Sequence, residues 1–379
     1  MAFDSLLKLL TVFMPNDLSF SSKYRIWFVA KFPNWRDRIR MFLPGLVAED
    51  FSVEVLSANE RRGRFVDRYT AGRNTASAGL CFVEKRKVHR GLFSRYKKDM
   101  ETVLCRELEK VFDGDGFRFP HAVGEIKSWS CNSVLFVWVE GRHPNLPKSH
   151  LSIASAIARL ESSSAIKIAA GEISAPGSDY FASPFWARRG LYRELAKNLR
   201  ALRSRPSIGG TDCCGPELRE CLVTLLRELR RLGAAVKGGK RCFSHLDFHS
   251  RNLLVTPVGL HLIDWGQGRT GRIGFDAGDF LYAIFARRSV EAFERITRNF
   301  LARYLLHSGL THLDLAVRQS IKFIFLSKAF WFLLRPDVIA NHMARNEISL
   351  WSQRLAYLNS VLRSDWPAQY LPADRAGVP

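Results

Sequence analysis

The spacing of apolar residues changes near residue 140, and that change limits the folds open to this chain. From 51 to 139 the sequence falls into short runs of β-branched and aromatic residues. Phe51–Leu56 alternates, Arg64–Tyr69 follows a turn at Asn59–Gly63, and Leu80–Lys85 follows a turn at Gly72–Asn74. Two more strands are expected near 121–127 and 133–139. The first three runs, joined by tight turns, predict an antiparallel meander. Met100, Val103, Leu104, Leu108 and Val111 recur at helical spacing and predict a helix over 97–112. Beyond Gly141 the helical period dominates; Leu218, Leu222, Leu225, Leu229 and Leu232 mark one face of a helix over 217–232. Loops rich in Gly, Pro and Ser stand at 173–184 and 204–216, and no internal repeat is present. Strands first and helices after predict an α+β chain. The expected organisation is a basic, aromatic helical extension over 1–50, a small antiparallel-sheet unit over 51–140 and a larger helical unit over 141–379.

Composition excludes several classes. Hydrophobic residues make up 47% of 379, enough to bury a core and too many for wholesale disorder. The seven cysteines are irregularly spaced without a C-x-x-C pair, which argues against a zinc ribbon or disulfide scaffold and for a reduced, cytoplasmic setting. The opening residues carry Asp4 before any lysine and show no small-residue cleavage site, so no signal peptide is expected. The most lipid-like stretch, Ile321–Leu334, is interrupted by Lys322 and Lys328 and is shorter than the ~18–20 residues a span needs. Lys plus Arg number 57 against 36 Asp plus Glu, a formal net charge of +21 that favours an anionic partner.

Residues 241–282 carry the chemistry. His245-Leu246-Asp247 precedes Asn252 in the order H-x-D-x-x-x-x-N. A hairpin signal follows: Leu253–Val255, a turn at Pro257–Gly259, then Leu260, Leu262 and Ile263, ending in Asp264-Trp265-Gly266. A hairpin of that length is expected to return Asp264 towards Asn252 and Asp247. This is the inventory that phosphoryl transfer requires: a carboxylate to orient the acceptor hydroxyl, and hard oxygen ligands for Mg²⁺ beside the phosphates. Asp247 suits the first role, Asn252 and Asp264 the second. A Walker A loop is excluded, because Gly233–Lys240 has its lysine one place late and Arg241 where Ser or Thr is needed.

With these residues the sequence resembles the aminoglycoside phosphotransferase and choline kinase-like family, relatives of the protein kinases. The family pattern is H-G-D-x-x-x-x-N, then I-D-W or I-D-F, then G-x-x-x-x-D-L. Here those pieces are His245–Asn252, Ile263-Asp264-Trp265 and Gly274–Phe280, with Leu246 in place of glycine and Phe280 in place of leucine. The resemblance implies a two-lobed protein kinase-like fold with a small antiparallel-sheet N-lobe and a larger helical C-lobe, and ATP and Mg²⁺ as cofactors. It implies Asp247 as the catalytic aspartate, Asn252 and Asp264 as metal ligands, and Asp279 as a buried brace for the loop. His245 is expected to prop the loop rather than act as a base. Upstream, the resemblance implies Lys85 as the phosphate-contacting lysine, Glu107 as its helix partner, with Glu101 and Glu109 as competitors, and the segment at Glu140 as the adenine-holding hinge. The phosphate-covering loop is Ser57–Gly63, with one glycine.

Two other readings use the same residues. His245, Asp247 and His249 alternate in the manner of a hydrolase metal cluster, but that reading leaves Asn252 and Asp264 without a role. A pseudokinase scaffold at an anionic membrane surface is the alternative to an enzyme. The acceptor is expected to be a hydroxyl of a small molecule or of a glycolipid sugar, because a basic chain is poorly suited to polycationic aminoglycosides. The basic, aromatic segment 21–43 and the lysines and arginines of 85–98 suggest peripheral contact with an anionic membrane, at its cytoplasmic face. Nothing resembles a nucleic-acid-binding module, so no nucleic-acid partner is expected.

Overall fold

The computed structural model describes residues 25–29, 31, 33–44, 46–60, 63–73, 75, 77–88, 107–108, 111, 116–128, 131–173, 179–182, 197–198, 216–309 and 314–370. The chain divides into two compact units. The first comprises Met1–Glu109, Arg118–Arg142 and Leu254–Gly266, and the second Lys110–Phe117, His143–Leu253 and Gln267–Pro379.

The first unit is built on a six-stranded sheet of β1 (Arg25–Phe28), β2 (Phe51–Asn59), β3 (Arg64–Ala71), β4 (Cys81–Val88), β5 (Ala122–Lys127) and β6 (Cys131–Val137). Its order is β1-β5-β6-β4-β3-β2; only β1 and β5 pair in parallel. The antiparallel meander expected over 51–88 is present as β2-β3-β4, and the two further strands expected near 121–127 and 133–139 form β5 and β6, with β6 rather than β5 beside β4; strand ends are shifted by a few residues.

The expected helical extension over 1–50 needs correction where residues are described. Residues 25–28 form a strand, and helix α1 (Trp35–Phe42) buries Ile39 and Phe42 with Phe51, Tyr69, Phe82, Ile126 and Leu135. Ile26-Trp27-Phe28-Val29 is a β-branched and aromatic run that the edge of β5 can extend, and Pro33 precludes one continuous helix. Residues 1–24, nearly all of 97–112 and the basic residues 89–98 lie outside the described part.

One ion pair fastens α1 to the sheet. Arg38 donates from Nε to Glu84 Oε1 at 2.6 Å and from Nη2 to Oε2 at 2.9 Å. Glu84 also accepts from the hydroxyls of Tyr69 and Ser133. Arg38 is 4% and Glu84 0% exposed, so this charge expected on the surface is enclosed.

The second unit is mainly helical: α2 (Leu146–Ala169), α3 (Pro216–Lys237), α4 (Phe275–Phe285), α5 (Val290–His307), α6 (Leu315–Leu333), α7 (Pro336–Ala344) and α8 (Ile348–Arg363). Strand β7 (Arg241–Ser244) pairs with β10 (Arg269–Arg272). Between them in sequence lies the expected hairpin of β8 (Leu253–Thr256) and β9 (Gly259–Leu262). Helix α6 runs through the core, burying Ile321, Ile324, Phe325, Leu326, Ala329 and Phe330. Among the described residues, no helix is long and apolar enough to cross a membrane.

Helices α4 and α6 approach so closely that one position tolerates only glycine. A Cβ at Gly278 would lie 2.5 Å from the backbone oxygen of Ile321, which cannot swing aside as a side chain can. Gly278→Ala is expected to destabilise the protein by ~1–3 kcal/mol, the usual penalty for overpacking. Denaturant unfolding against wild type measures it; an unchanged midpoint would show that the helices separate freely.

Candidate active site

The His245–Asn252 loop leaves β7 and is held from below by α4 and α6. Its backbone does most of the attaching. His245 N and Leu246 N donate to the two oxygens of Asp276 at 2.9 and 3.0 Å. Phe248 N donates to Asp279 Oδ2 at 2.8 Å. Lys328 on α6 lies 2.6 Å from Asp279 Oδ1 and also donates to the carbonyl of Leu246. All four of His245, Leu246, Asp276 and Asp279 are buried.

These anchors explain how leucine occupies a position that the family pattern gives to glycine. Leu246 has φ 60°, in the left-handed region that costs an L-residue about 1–2 kcal/mol. Its N–H is captured by Asp276 and its carbonyl by Lys328, so surrounding bonds enforce the conformation.

With the backbone fixed, Asp247 is the acid left facing outward, its side chain 43% exposed. Asp247 N donates to His245 Nδ1 at 3.3 Å, which puts His245 under the loop as an acceptor. His249 Nε2 lies 3.6 Å from Asp247 Oδ1. Asn252 donates its amide nitrogen to Asp247 O at 2.9 Å and points it towards Oδ2 at 3.4 Å. That orientation leaves the Asn252 carbonyl oxygen as the atom it can offer a cation. No group of three or more His, Cys, Asp or Glu suited to a metal ion occurs among the described residues.

A third buried carboxylate supports the brace itself. Glu161 of α2 accepts from Gly274 N and Asp276 N at 2.9 and 2.8 Å and from the Tyr304 hydroxyl. Burial pushes Glu161 up to about 7, and burial together with Glu161 pushes Asp276 well above the ordinary carboxylate range. A carboxyl whose folded value is raised binds more protons folded than unfolded between its two values. Stability from this group is present below about pH 4.5 and lost as pH rises through about 7. Glu161→Gln is therefore expected to flatten the fall in melting temperature over that window, read from thermal melts of both proteins. Parallel curves would exclude Glu161 as its source.

In the first unit, Lys85 lies within β4, opposite Val66 on β3 and Val134 on β6, rather than at a strand end. Its Nζ meets Asp264 Oδ1 at 3.0 Å and sits 5.7 Å from the Phe136 ring centre. Asp264 follows β9 at φ 62°, a left-handed conformation that aspartate accepts better than most residues. The turn is pinned by Trp265, fully buried, whose Nε1 donates to Leu262 O at 3.0 Å. Glu107 lies in a helical pair with Leu108 and is partly buried. Glu140 is exposed and accepts from Trp138 Nε1 at 2.9 Å. Just beyond it, Arg142 and Val255 exchange backbone hydrogen bonds of 3.0 and 2.7 Å, which tie this strap to β8. In the loop over 57–63, Gly63 has φ 61°, and a Cβ there would lie 2.7 Å from Val88 O. Its single glycine thus sits where the turn demands one; Arg61 and Arg62 are outside the described residues.

Sequence reasoning assigned no role to Asp276, Glu161 or Lys328. Asp276 and Asp279 stand three apart, the spacing of one helix face, and Lys328 is one of only two charges in the apolar run Ile321–Leu334. Both were usable signals. Glu161 had none, since its partners are more than a hundred residues away.

Residues 135–314 match the family model described as "Phosphotransferase enzyme family". No curated protein matches the sequence. Among solved structures, choline kinase from Cryptosporidium parvum is similar at 12% identity and TM-score 0.55, over 89% of this chain and 97% of that one. A microcompartment-associated aminopropanol kinase is similar at 16% identity and TM-score 0.54, over 84% of this chain and 94% of its own. Residues 135–314 are thus similar to the phosphotransferase enzyme family, and the chain shares the kinase-like fold of these structures.

Proposed function

We propose that this protein transfers the γ-phosphate of ATP, with Mg²⁺, to a hydroxyl group of a small molecule or glycolipid sugar. The observation that carries the proposal is the His245–Asn252 loop. Its backbone is locked by two buried carboxylates while the Asp247 carboxylate stays accessible. Such a loop can orient a hydroxyl and accept its proton without moving. Asn252 and Asp264 offer the hard oxygens that suit Mg²⁺, and the ion when bound would neutralise phosphate charge. Lys85 is assigned to the nucleotide phosphates with Glu107 as its helix partner, and the strap at Glu140 to the adenine.

The two similar kinases are named for amino alcohols; the acceptor of this chain is better judged from its own charge. A net charge of +21 disfavours a polycationic acceptor and suits an anionic one, in solution or at a membrane surface. Purified protein given Mg²⁺ and ATP should release ADP with one of three pools (sugars, glycolipids, amino alcohols) and should stop when EDTA is added. If Mg²⁺–ATP leaves the melting temperature unchanged, the proposal is wrong.

A further inference from the structure

The second unit contains a cavity of about 340 Å³ beside the His245–Asn252 loop. Its wall includes His143 and Asn145 ahead of α2, Ser250 of the loop, and Arg287 and Arg288 after α4. The wall has two guanidinium groups and no carboxylate. Arg287 Nη1 donates to Ser250 Oγ at 2.9 Å, which draws the guanidinium to the loop three residues after Asp247. Among the described residues, no acidic side chain pairs with Arg287 or Arg288. Arg354 holds the backbone of Arg288 through its carbonyl, at 3.1 Å, and leaves that guanidinium to the cavity and solvent.

Surface arginines are ordinary, but two adjacent ones in a concave site without a counter-charge are not. Two adjacent guanidinium groups repel each other, and an anion held between them relieves that repulsion. Arginine binds phosphate through paired N–H groups, with geometry as well as charge. A second observation links this site to Asp247. Burial raises the Tyr282 phenol, with Asp279 and Asp247 adding to the effect and Arg335 and Arg287 opposing it. Asp247 and Arg287 thus act on the same side chain.

We propose that Arg287 and Arg288 bind a phosphate group carried by the acceptor, so that the substrate is a phosphate-bearing alcohol whose free hydroxyl faces Asp247. This rests on the kinase reading above and deepens it. The phosphate belongs either to a soluble sugar phosphate or to a phosphorylated glycolipid, and both present the same oxygens to the arginines. The transfer breaks the bond between the γ-phosphorus and its bridging oxygen and forms one to the acceptor oxygen. The acceptor proton passes to Asp247 and the bond's electrons leave with ADP.

The test uses the full chain saturated with Mg²⁺ and a non-hydrolysable ATP analogue, titrated with inorganic phosphate by calorimetry. Wild type should bind it, and Arg287→Ala/Arg288→Ala should weaken binding at least ~10-fold, with Arg287→Lys/Arg288→Lys recovering part of the loss. Equal binding in wild type and the alanine variant, or no binding to wild type, would overturn the proposal. So would binding that vanishes once the nucleotide analogue is present, since the pocket would then belong to the nucleotide. In turnover assays, sugar phosphates in solution and phosphoglycolipids in mixed micelles separate the two sources. The alanine variant should raise KM for the active one ~10–100-fold with kcat changed only a few-fold. Preference for an uncharged acceptor would overturn the proposal. Failure to bind the nucleotide analogue would sink the kinase reading alone, because phosphate titration without nucleotide still decides the pocket.

Discussion

Replacing Asp247 with asparagine is expected to lower turnover by about 10²–10⁴-fold while leaving the protein folded and able to bind Mg²⁺–ATP. The size follows from the usual contribution of a positioned general base. Folding should survive because the loop is attached by the amides of His245, Leu246 and Phe248, none of which involves the Asp247 side chain. Asparagine keeps the shape and an oxygen for the Asn252 amide, so what is lost is the negative charge and the proton acceptor. ADP release at saturating acceptor measures the first part, and the thermal shift on adding Mg²⁺–ATP the second. Turnover within ~10-fold of wild type would remove Asp247 from the chemistry. Loss of both turnover and folding would mean that the side chain is a structural post.

The second large effect is on stability. Arg38→Ala is expected to cost ~3–5 kcal/mol, because it strands the Glu84 carboxylate in a fully buried position. The hydroxyls of Tyr69 and Ser133 remain as uncharged donors, and the remaining cation, Arg86, stands off at 3.8 Å from Oε2 without a hydrogen bond to replace the two lost. Burial and Glu84 both hold the Tyr69 phenol in its protonated form, so it stays a donor. The double variant Arg38→Met/Glu84→Leu separates the value of the pair from the penalty of breaking it: it should recover most of the loss, since apolar pairs often replace buried ion pairs without cost. Chemical denaturation of the three proteins provides the comparison. A single variant within ~1 kcal/mol of wild type would show that α1 is only loosely attached to the sheet.

What could be read in the sequence was what neighbouring residues decide. The Leu253–Ile263 hairpin was visible because its turn and its alternation lie within eleven residues. The loop residues His245, Asp247 and Asn252 were visible because their spacing is fixed by one short segment. The strands at 64–71 and 81–88 were found for the same reason, and their ends were missed by only a few residues. Residues 25–28 were misread because arginines and lysines flank the apolar run, and a basic amphipathic segment looks alike as strand or helix. The decisive fact, pairing with β5, lies a hundred residues away. The brace was half legible. Asp279 fell within a recognisable motif, whereas Asp276 three residues earlier carried no expectation and holds two amides. The partnership of Arg38 with Glu84, and that of Glu161 with Gly274 and Asp276, are made by tertiary packing alone. No local pattern encodes them.

The route of the chain through its two units has a consequence for synthesis on the ribosome. The first unit takes its sheet from residues before 142 but recovers the Leu254–Gly266 segment only after more than a hundred residues have entered the second. The emerging polypeptide therefore holds a sheet without Asp264 while α2, α3 and the His245–Asn252 loop are being made. Lys85 waits for its partner until that hairpin emerges. A fragment ending near residue 140 would lack the segment altogether. Neither half can be obtained complete by cutting the gene once, and a circularly permuted or split version would need every passage between the units respected.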